Sequence, residues 1–229
     1  MKIRLFLGLP LAMAMTLCAH AAITDNFESY ALGSDLHGQG SWKGWDNSPT
    51  AGALVSDAYA YSGTQTVNIT GASDLVRTFS GVSGGQWSIS IMQYIPTISS
   101  GVSYFILMNQ YNDDPGAKSW STQMECDMDL EVVRSAGSTL PMVKGDWTEL
   151  RCDIDLANNT VNEYYNNQLL RSGAWQSGGL NELQAMDLYA GNVGPVYYDN
   201  LSVISVPEPA TFTALALGGL GLLRRRRAK

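Results

Sequence analysis

Two stretches of the chain alternate strictly between apolar and polar residues. In Met124-Glu125-Cys126-Asp127-Met128-Asp129-Leu130-Glu131-Val132 every second residue is apolar and every residue between is an acid. Within residues 147–156, Leu150, Cys152, Ile154 and Leu156 share one phase, while Trp147, Glu149, Arg151, Asp153 and Asp155 share the other. Successive side chains of a strand point to opposite faces, so this period describes strands that bury one side and wet the other.

Short β-rich runs recur at residues 66–69, 87–95, 102–111, 122–133, 147–156, 161–165, 186–190 and 196–204, with Gly, Asn, Ser and Asp between them. Long amphipathic helices are missing, and only residues 180–185 read as a short helix. Many short strands with turn signals between them predict an all-β fold, a single β-sandwich. Residues 22–205, about 185 in number, suit one such domain.

Both ends differ from this middle. Residues 1–21 carry Lys2 and Arg4, an apolar stretch from Leu5 to Leu17, and Ala19-His20-Ala21. That order is a signal peptide, with cleavage expected before Ala22. A lipoprotein reading at Cys18 fits poorly, because Leu17 precedes the cysteine. At the other end, residues 206–229 comprise Val206-Pro207-Glu208-Pro209, an apolar run from Ala210 to Leu223, and Arg224 to Arg227 followed by Ala228 and Lys229. As a helix the run would measure about 21 Å at ~1.5 Å per residue, short for a hydrocarbon core of ~30 Å. The arginines should stay on the cytoplasmic side.

Pro207-Glu208-Pro209, the apolar run and the arginine cluster, in that order at the very end, resemble the PEP-CTERM sorting signal of Gram-negative bacteria. The resemblance implies that a membrane transpeptidase, exosortase, cuts at the motif and releases a short transmembrane helix inserted transiently in the inner membrane. The expected destination is the cell surface or the extracellular matrix.

Charge narrows the partners. Seven of the 14 basic residues (Lys2, Arg4, Arg224 to Arg227, Lys229) lie in the terminal signals, whereas all 21 acids lie between Asp25 and Glu208, so the middle carries 7 − 21, a net charge near −14. Repulsion disfavours nucleic acid and anionic lipid surfaces and leaves cations and neutral polymers. The middle holds Cys126, Cys152 and one histidine, His37. A His/Cys zinc site needs more ligands of those types, and a serine triad would rest on His37 alone. Any catalysis would have to run on carboxylates.

A second resemblance covers about a quarter of the domain. Trp147-Thr148-Glu149-Leu150, Ile154-Asp155-Leu156, Asn158-Asn159-Thr160-Val161 and Tyr164-Tyr165-Asn166-Asn167 are similar to a pattern of laminin-G and concanavalin A-like jelly rolls, with Asn167 where the pattern has Gly. It implies a jelly roll, a scaffold of sugar-binding, adhesive and glycan-cleaving proteins, but fold alone does not assign function.

The acidic row Glu125, Asp127, Asp129, Glu131 resembles the E-x-D-x-E strand of jelly-roll glycoside hydrolases, although neither frame reproduces it; a solvated acidic face is the plainer reading. A retaining mechanism needs carboxyl groups ~5–5.5 Å apart, whereas residues i and i+4 of a strand lie ~13 Å apart at ~3.3 Å per residue. Trp87 and Trp120 are in phase with apolar neighbours and read as core. Trp42, Trp45 and Trp147 are the candidate ligand-binding tryptophans; indole faces beside Asp and Asn suit sugar rings, or they cap the sandwich. Asp25, Glu28 and Asp199, near the two ends of the domain, resemble the paired ends of carbohydrate-binding sandwiches that hold a structural calcium. A hydrogen-bonded Asp199 is the alternative. Cys126 and Cys152, on apolar strand faces in an exported protein, are either a disulfide or two buried thiols. The expected function is non-catalytic contact with polysaccharide. A divergent glycoside hydrolase and a purely structural matrix protein are the alternatives.

Overall fold

The computed structural model describes residues 22–206. They form fifteen strands, β1 (Ala22–Asp25), β2 (Trp42–Gly44), β3 (Leu54–Ser56), β4 (Thr66–Ile69), β5 (Asp74–Thr78), β6 (Gln86–Tyr94), β7 (Val102–Tyr111), β8 (Lys118–Asp127), β9 (Val132–Ser135), β10 (Ser138–Pro141), β11 (Trp147–Asp155), β12 (Thr160–Tyr165), β13 (Gln168–Ala174), β14 (Ala185–Gly191) and β15 (Val196–Val206). A single 3-10 turn, Trp45–Asn47, follows β2. The first sheet runs β13-β12-β11-β6-β15-β4-β3, with β1 also paired to β15; the second runs β10-β9-β8-β7-β14-β5-β2. Every pairing is antiparallel. This is the β-sandwich expected from the alternation.

The core lies between the sheets. Along β6 and β11 every second residue is buried, and the register sets Ile91 beside Leu150, Ile89 beside Cys152 and Trp87 beside Ile154. Phe105, Leu107, Met124, Leu75, Met186 and Leu188 face them from the second sheet in the same buried cluster. Each fully buried side chain of this size contributes about 1.5–3 kcal/mol. Trp87 is core, as its phase requires, and donates its indole N–H to the Gly84 carbonyl at 2.8 Å. The hairpin between β12 and β13 turns on Asn166 and Asn167, with φ of 49° and 59°. Asparagine tolerates this left-handed conformation, so Asn167 replaces glycine without breaking the turn.

Three expectations are corrected. Residues 122–133 are not one strand: β8 ends at Asp127 and the chain turns back into β9. Asp127 Oδ1 accepts the N–H groups of Asp129 and Leu130 at 3.2 and 2.9 Å, Glu131 takes φ 54°, and Leu130 is 63% exposed. The side chain of Asp127 competes for the backbone and ends the strand, so the four-acid row does not exist as one face. Residues 180–185 form no helix; Glu182 makes a bridge to Ser83, and the Leu183 N–H bonds to the Val82 carbonyl. The Cys126–Cys152 disulfide is absent, both residues being buried free thiols. They lie on different sheets, because the chain passes through β9 and β10 before crossing to β11. A bridge needs Cβ atoms within ~3.5–4.5 Å, and here the Cys126 thiol is instead engaged with the Gln93 side chain at 3.6 Å.

Candidate functional site

The second sheet carries an unusual outer face. Its register aligns Asp74 (β5), Tyr189 (β14), Tyr104 (β7), Glu125 (β8), Arg134 (β9) and Thr139 (β10) in one cross-strand row. The Tyr104 and Tyr189 rings stack at 5.7 Å and 26°. Arg134 donates through Nη2 to Glu125 Oε1 and, at 2.8 Å, to Asp127 Oδ2. Burial, and then the Glu125 charge, push the Tyr104 phenol above its ordinary pKa. The tyrosine therefore stays protonated and can donate a hydrogen bond.

Trp120 joins this face through an irregularity. Met108 pairs with Trp120 while Leu107 pairs with Thr122, so Ser121 is an extra residue in β8. Such a bulge reverses the side-chain phase. Trp120 therefore points outward, 47% exposed, which corrects its reading as core. The ring lies against Trp45, with centroids 5.8 Å apart and planes at 20°. Below them Val76, Ile106, Met108, Tyr111 and Ala185 form a second, smaller buried apolar cluster.

A polar network holds Trp45 over this cluster. Lys118 binds Asp46 at 2.7 Å and Asp114 at 2.5 Å, and Lys43 binds Asp113 at 2.8 Å. The Asp46 N–H donates to the Tyr111 hydroxyl at 3.0 Å, which in turn donates to Asp113 Oδ1 at 3.1 Å. Hydrogen bonding to Lys118 holds the Asp114 carboxyl below its ordinary value. Beside the indoles, where β9 stops short and leaves part of β8 unpaired, lies a groove of about 460 Å³ lined by Tyr104, Trp120, Gln123, Glu125, Arg134 and Arg171. It offers an aromatic surface, hydrogen-bond acceptors and donors at one place.

Two residues along β14 from Tyr189, on the same face, Asp187 is 2% exposed and packs its carboxyl against that of Asp74. Burial and the Asp74 charge push Asp187 well above the carboxylate range, and burial pushes Asp74 up as well. The pair therefore retains a proton that two exposed carboxylates would release.

The other predicted residues lie elsewhere. Trp42 is core: 1% exposed, it stands 5.7 Å from Phe27 and donates its indole N–H to Asp25. Trp147 lies on the outer face of the first sheet. None of the three tryptophans expected to bind ligand lines this groove; Trp45 only supports Trp120, which does. The expected cation site at Asp25, Glu28 and Asp199 is not formed, and no cluster of three metal-ligating side chains occurs among the described residues. Their oxygens are already engaged. Asp25 accepts from Arg77, Trp42, Tyr30 and the Phe27 N–H; Glu28 from Thr64 and Gln65; Asp199 from the N–H groups of Tyr61, Ser62 and Asn200.

Residues 205–227 match the family model described as the PEP-CTERM protein-sorting motif. The chain carries that signal, which directs a protein to the cell envelope and to exosortase. The signal peptide expected at residues 1–21, and Pro207, Glu208, Pro209 and the apolar run, lie outside the described residues, among which no helix is long and apolar enough to cross a membrane. No curated protein matches the chain in sequence. Among solved structures, a sialidase is similar at TM-score 0.55 and 12% identity over 88% of this chain and 21% of its own, so the chain spans about a fifth of that protein. An endo-β-1,4-glucuronan lyase from the fungus Trichoderma reesei is similar at 0.51 and 11% over 80% of this chain and 95% of its own. The cellulose-induced protein Cip1 is similar at 0.53 and 13% over 79% and 96%. These likenesses establish a jelly-roll sandwich.

Proposed function

We propose that this is a surface-displayed polysaccharide-binding protein that holds its ligand in the Trp120 groove without cleaving it. The observation that carries the reading is a half-exposed indole, braced by Trp45, beside Gln123, Glu125 and Arg134 in one groove. Flat aromatic faces next to a few fixed polar groups are what a pyranose ring needs for stacking and hydrogen bonding. The acid surplus of the middle segment favours a neutral glycan. Two proteins of similar fold are described by glucuronan and by cellulose, which agrees with a role at polysaccharide. On the same reading the apolar C-terminal run inserts transiently in the inner membrane of a Gram-negative cell, and exosortase releases the protein to the surface or matrix.

The state of the carboxyl groups supports binding without turnover. Glycoside hydrolysis needs two of them with separate roles beside the scissile bond. Glu125 and Asp127 are both tied to Arg134, and Asp187 is enclosed against Asp74.

Electrophoresis of the full-length protein in gels containing xylan, galactomannan or hydroxyethylcellulose tests the reading. We expect retardation in at least one gel, weakened about tenfold by Trp120→Ala, which corresponds to ~1.4 kcal/mol. Reducing-end assays on the same glycans should stay at background. Activity that vanishes in Glu125→Gln would instead establish a hydrolase, and migration unaffected by every glycan would leave a structural matrix protein.

A further inference from the structure

The first sheet presents a separate aromatic surface on its own outer face. The register aligns Tyr197 (β15), Tyr94 (β6) and Trp147 (β11) side by side. Two tyrosines from the segment between β3 and β4 cover them. Tyr59 stacks on Tyr94 at 4.4 Å and 21° and leans on Tyr197 at 5.0 Å. Tyr61 meets Trp147 at 5.6 Å, and Tyr94 meets Trp147 at 5.6 Å. Tyr59 and Tyr61 remain 48% and 49% exposed.

This segment is held from beneath by two carboxylates. Asp199 Oδ2 accepts the N–H groups of Tyr61 and Ser62 at 2.9 and 3.0 Å. Glu28 Oε1 accepts those of Thr64 and Gln65 at 2.8 and 2.6 Å, and these bonds lower the Glu28 pKa. Gly63 lies between the two clamps at φ 64°, where a Cβ would come within 2.6 Å of the Glu28 carboxyl group. Tyr59 itself takes φ 61°, a left-handed conformation that is costly for an aromatic residue. Burial alone does not account for this arrangement, since it leaves two strained or clamped rings half in water. A surface fixed before its ligand arrives loses less ordering entropy on binding.

The position of the surface fits its use. The sorting motif begins where β15 ends, and β1 starts beside Ile204. Tyr197 lies at the opposite end of β15, about 30 Å away at ~3.3 Å per residue. A protein held through its C-terminal segment therefore points this aromatic surface away from its attachment. Beside the rings Glu149 pairs with Arg151 at 3.3 Å and Asp199 is buried beneath the segment, so no strong local charge stands against an uncharged sugar ring.

We propose that Tyr59, Tyr61, Tyr94 and Trp147 form a second binding platform for a neutral polysaccharide, on the opposite sheet from the Trp120 groove. The choice of ligand class rests on the function proposed above; the platform itself does not. Two sites on opposite faces make one molecule a cross-linker of glycan chains.

The test compares full-length parent, Tyr59→Ala/Tyr61→Ala and Trp120→Ala in the same three glycan gels, with Tyr59→Phe/Tyr61→Phe as the conservative variant and circular dichroism as the check on folding. The expected result is about fivefold weaker retardation for the double alanine variant, little loss for the phenylalanine variant, and precipitation of soluble glycan by the parent but by neither alanine variant. Retardation lost in Trp120→Ala and unchanged in Tyr59→Ala/Tyr61→Ala would overturn the platform and keep the groove. The reverse pattern would keep the platform and overturn the groove. A parent that migrates freely in all three gels overturns both.

Discussion

The indole N–H of Trp42 donates to Asp25 Oδ2 at 2.9 Å in a buried hydrogen bond. The same oxygen accepts from Arg77 at 2.5 Å and from the Tyr30 hydroxyl at 2.6 Å, while Oδ1 takes the Phe27 N–H at 3.0 Å. One carboxylate thus fastens β1, the segment after it, β2 and β5. A buried ion pair contributes little relative to apolar residues, but removing one partner leaves the other charge uncompensated. Arg77→Met should destabilise the protein by about 3–5 kcal/mol. A guanidinium unfolding curve checks this, and a midpoint equal to the parent's would refute it.

The Asp74–Asp187 pair predicts an inverted pH dependence. Its folded-state pKa values are raised by burial. The contribution of the pair is therefore complete below the unfolded carboxylate value of ~3.9 and is lost as pH rises through the raised folded values. Asp187→Asn stays neutral and escapes that loss. It should melt above the parent at about pH 8, with the difference shrinking towards about pH 4. Glu28, Asp114 and Asp155, whose pKa values are lowered, act in the opposite sense, but equally in both proteins. A melting-temperature difference that grows on acidification would contradict the pairing.

Both cysteines should behave as inert thiols. Burial pushes Cys126 up to about 12 and Cys152 well above the ordinary thiol range, and the thiolate is the reactive form. A thiol reagent should label neither in the native protein and both after denaturation without reductant. Failure to label the denatured protein would restore the disulfide.

Processing gives a fourth expectation. Protein isolated from its native host should begin near Ala22 and lack Arg224 to Arg227, since exosortase acts at the motif. Intact mass measures this directly, and retention of the arginines would count against cleavage.

The fold was legible in the sequence wherever a strand runs straight with one wet face. β11 follows from alternation, and β6, β7 and β12 follow from β-rich runs between turn residues, each within about one residue. The sites were much less legible, for local reasons. Trp120 departs from the phase of Met124 because Ser121 is an extra residue between them, and an extra residue leaves no mark in composition. The alternation fails at Leu130 because Asp127, in phase with the acids, uses its side chain to stop the strand. The Arg134–Glu125 pair and the five-ring surface around Trp147 depend on which strands are neighbours. Trp147 did betray itself by standing among acids on the polar side of its strand. Its partners Tyr59 and Tyr61 lie in a segment with no periodic signal.

The placement of β15 has a mechanical consequence. Its far end lies beside Tyr94 and Trp147, its near end continues into the sorting segment, and β6 runs antiparallel along its length. A glycan strand pulling on the aromatic end while the other end is held would load β15 along its axis. The β15–β6 ladder would then resist in shear, with its hydrogen bonds sharing the tension instead of opening one after another. A protein fastened between a cell and a moving polymer bears drag through this one strand, and the fold sets it near the middle of the sheet with partners on both sides.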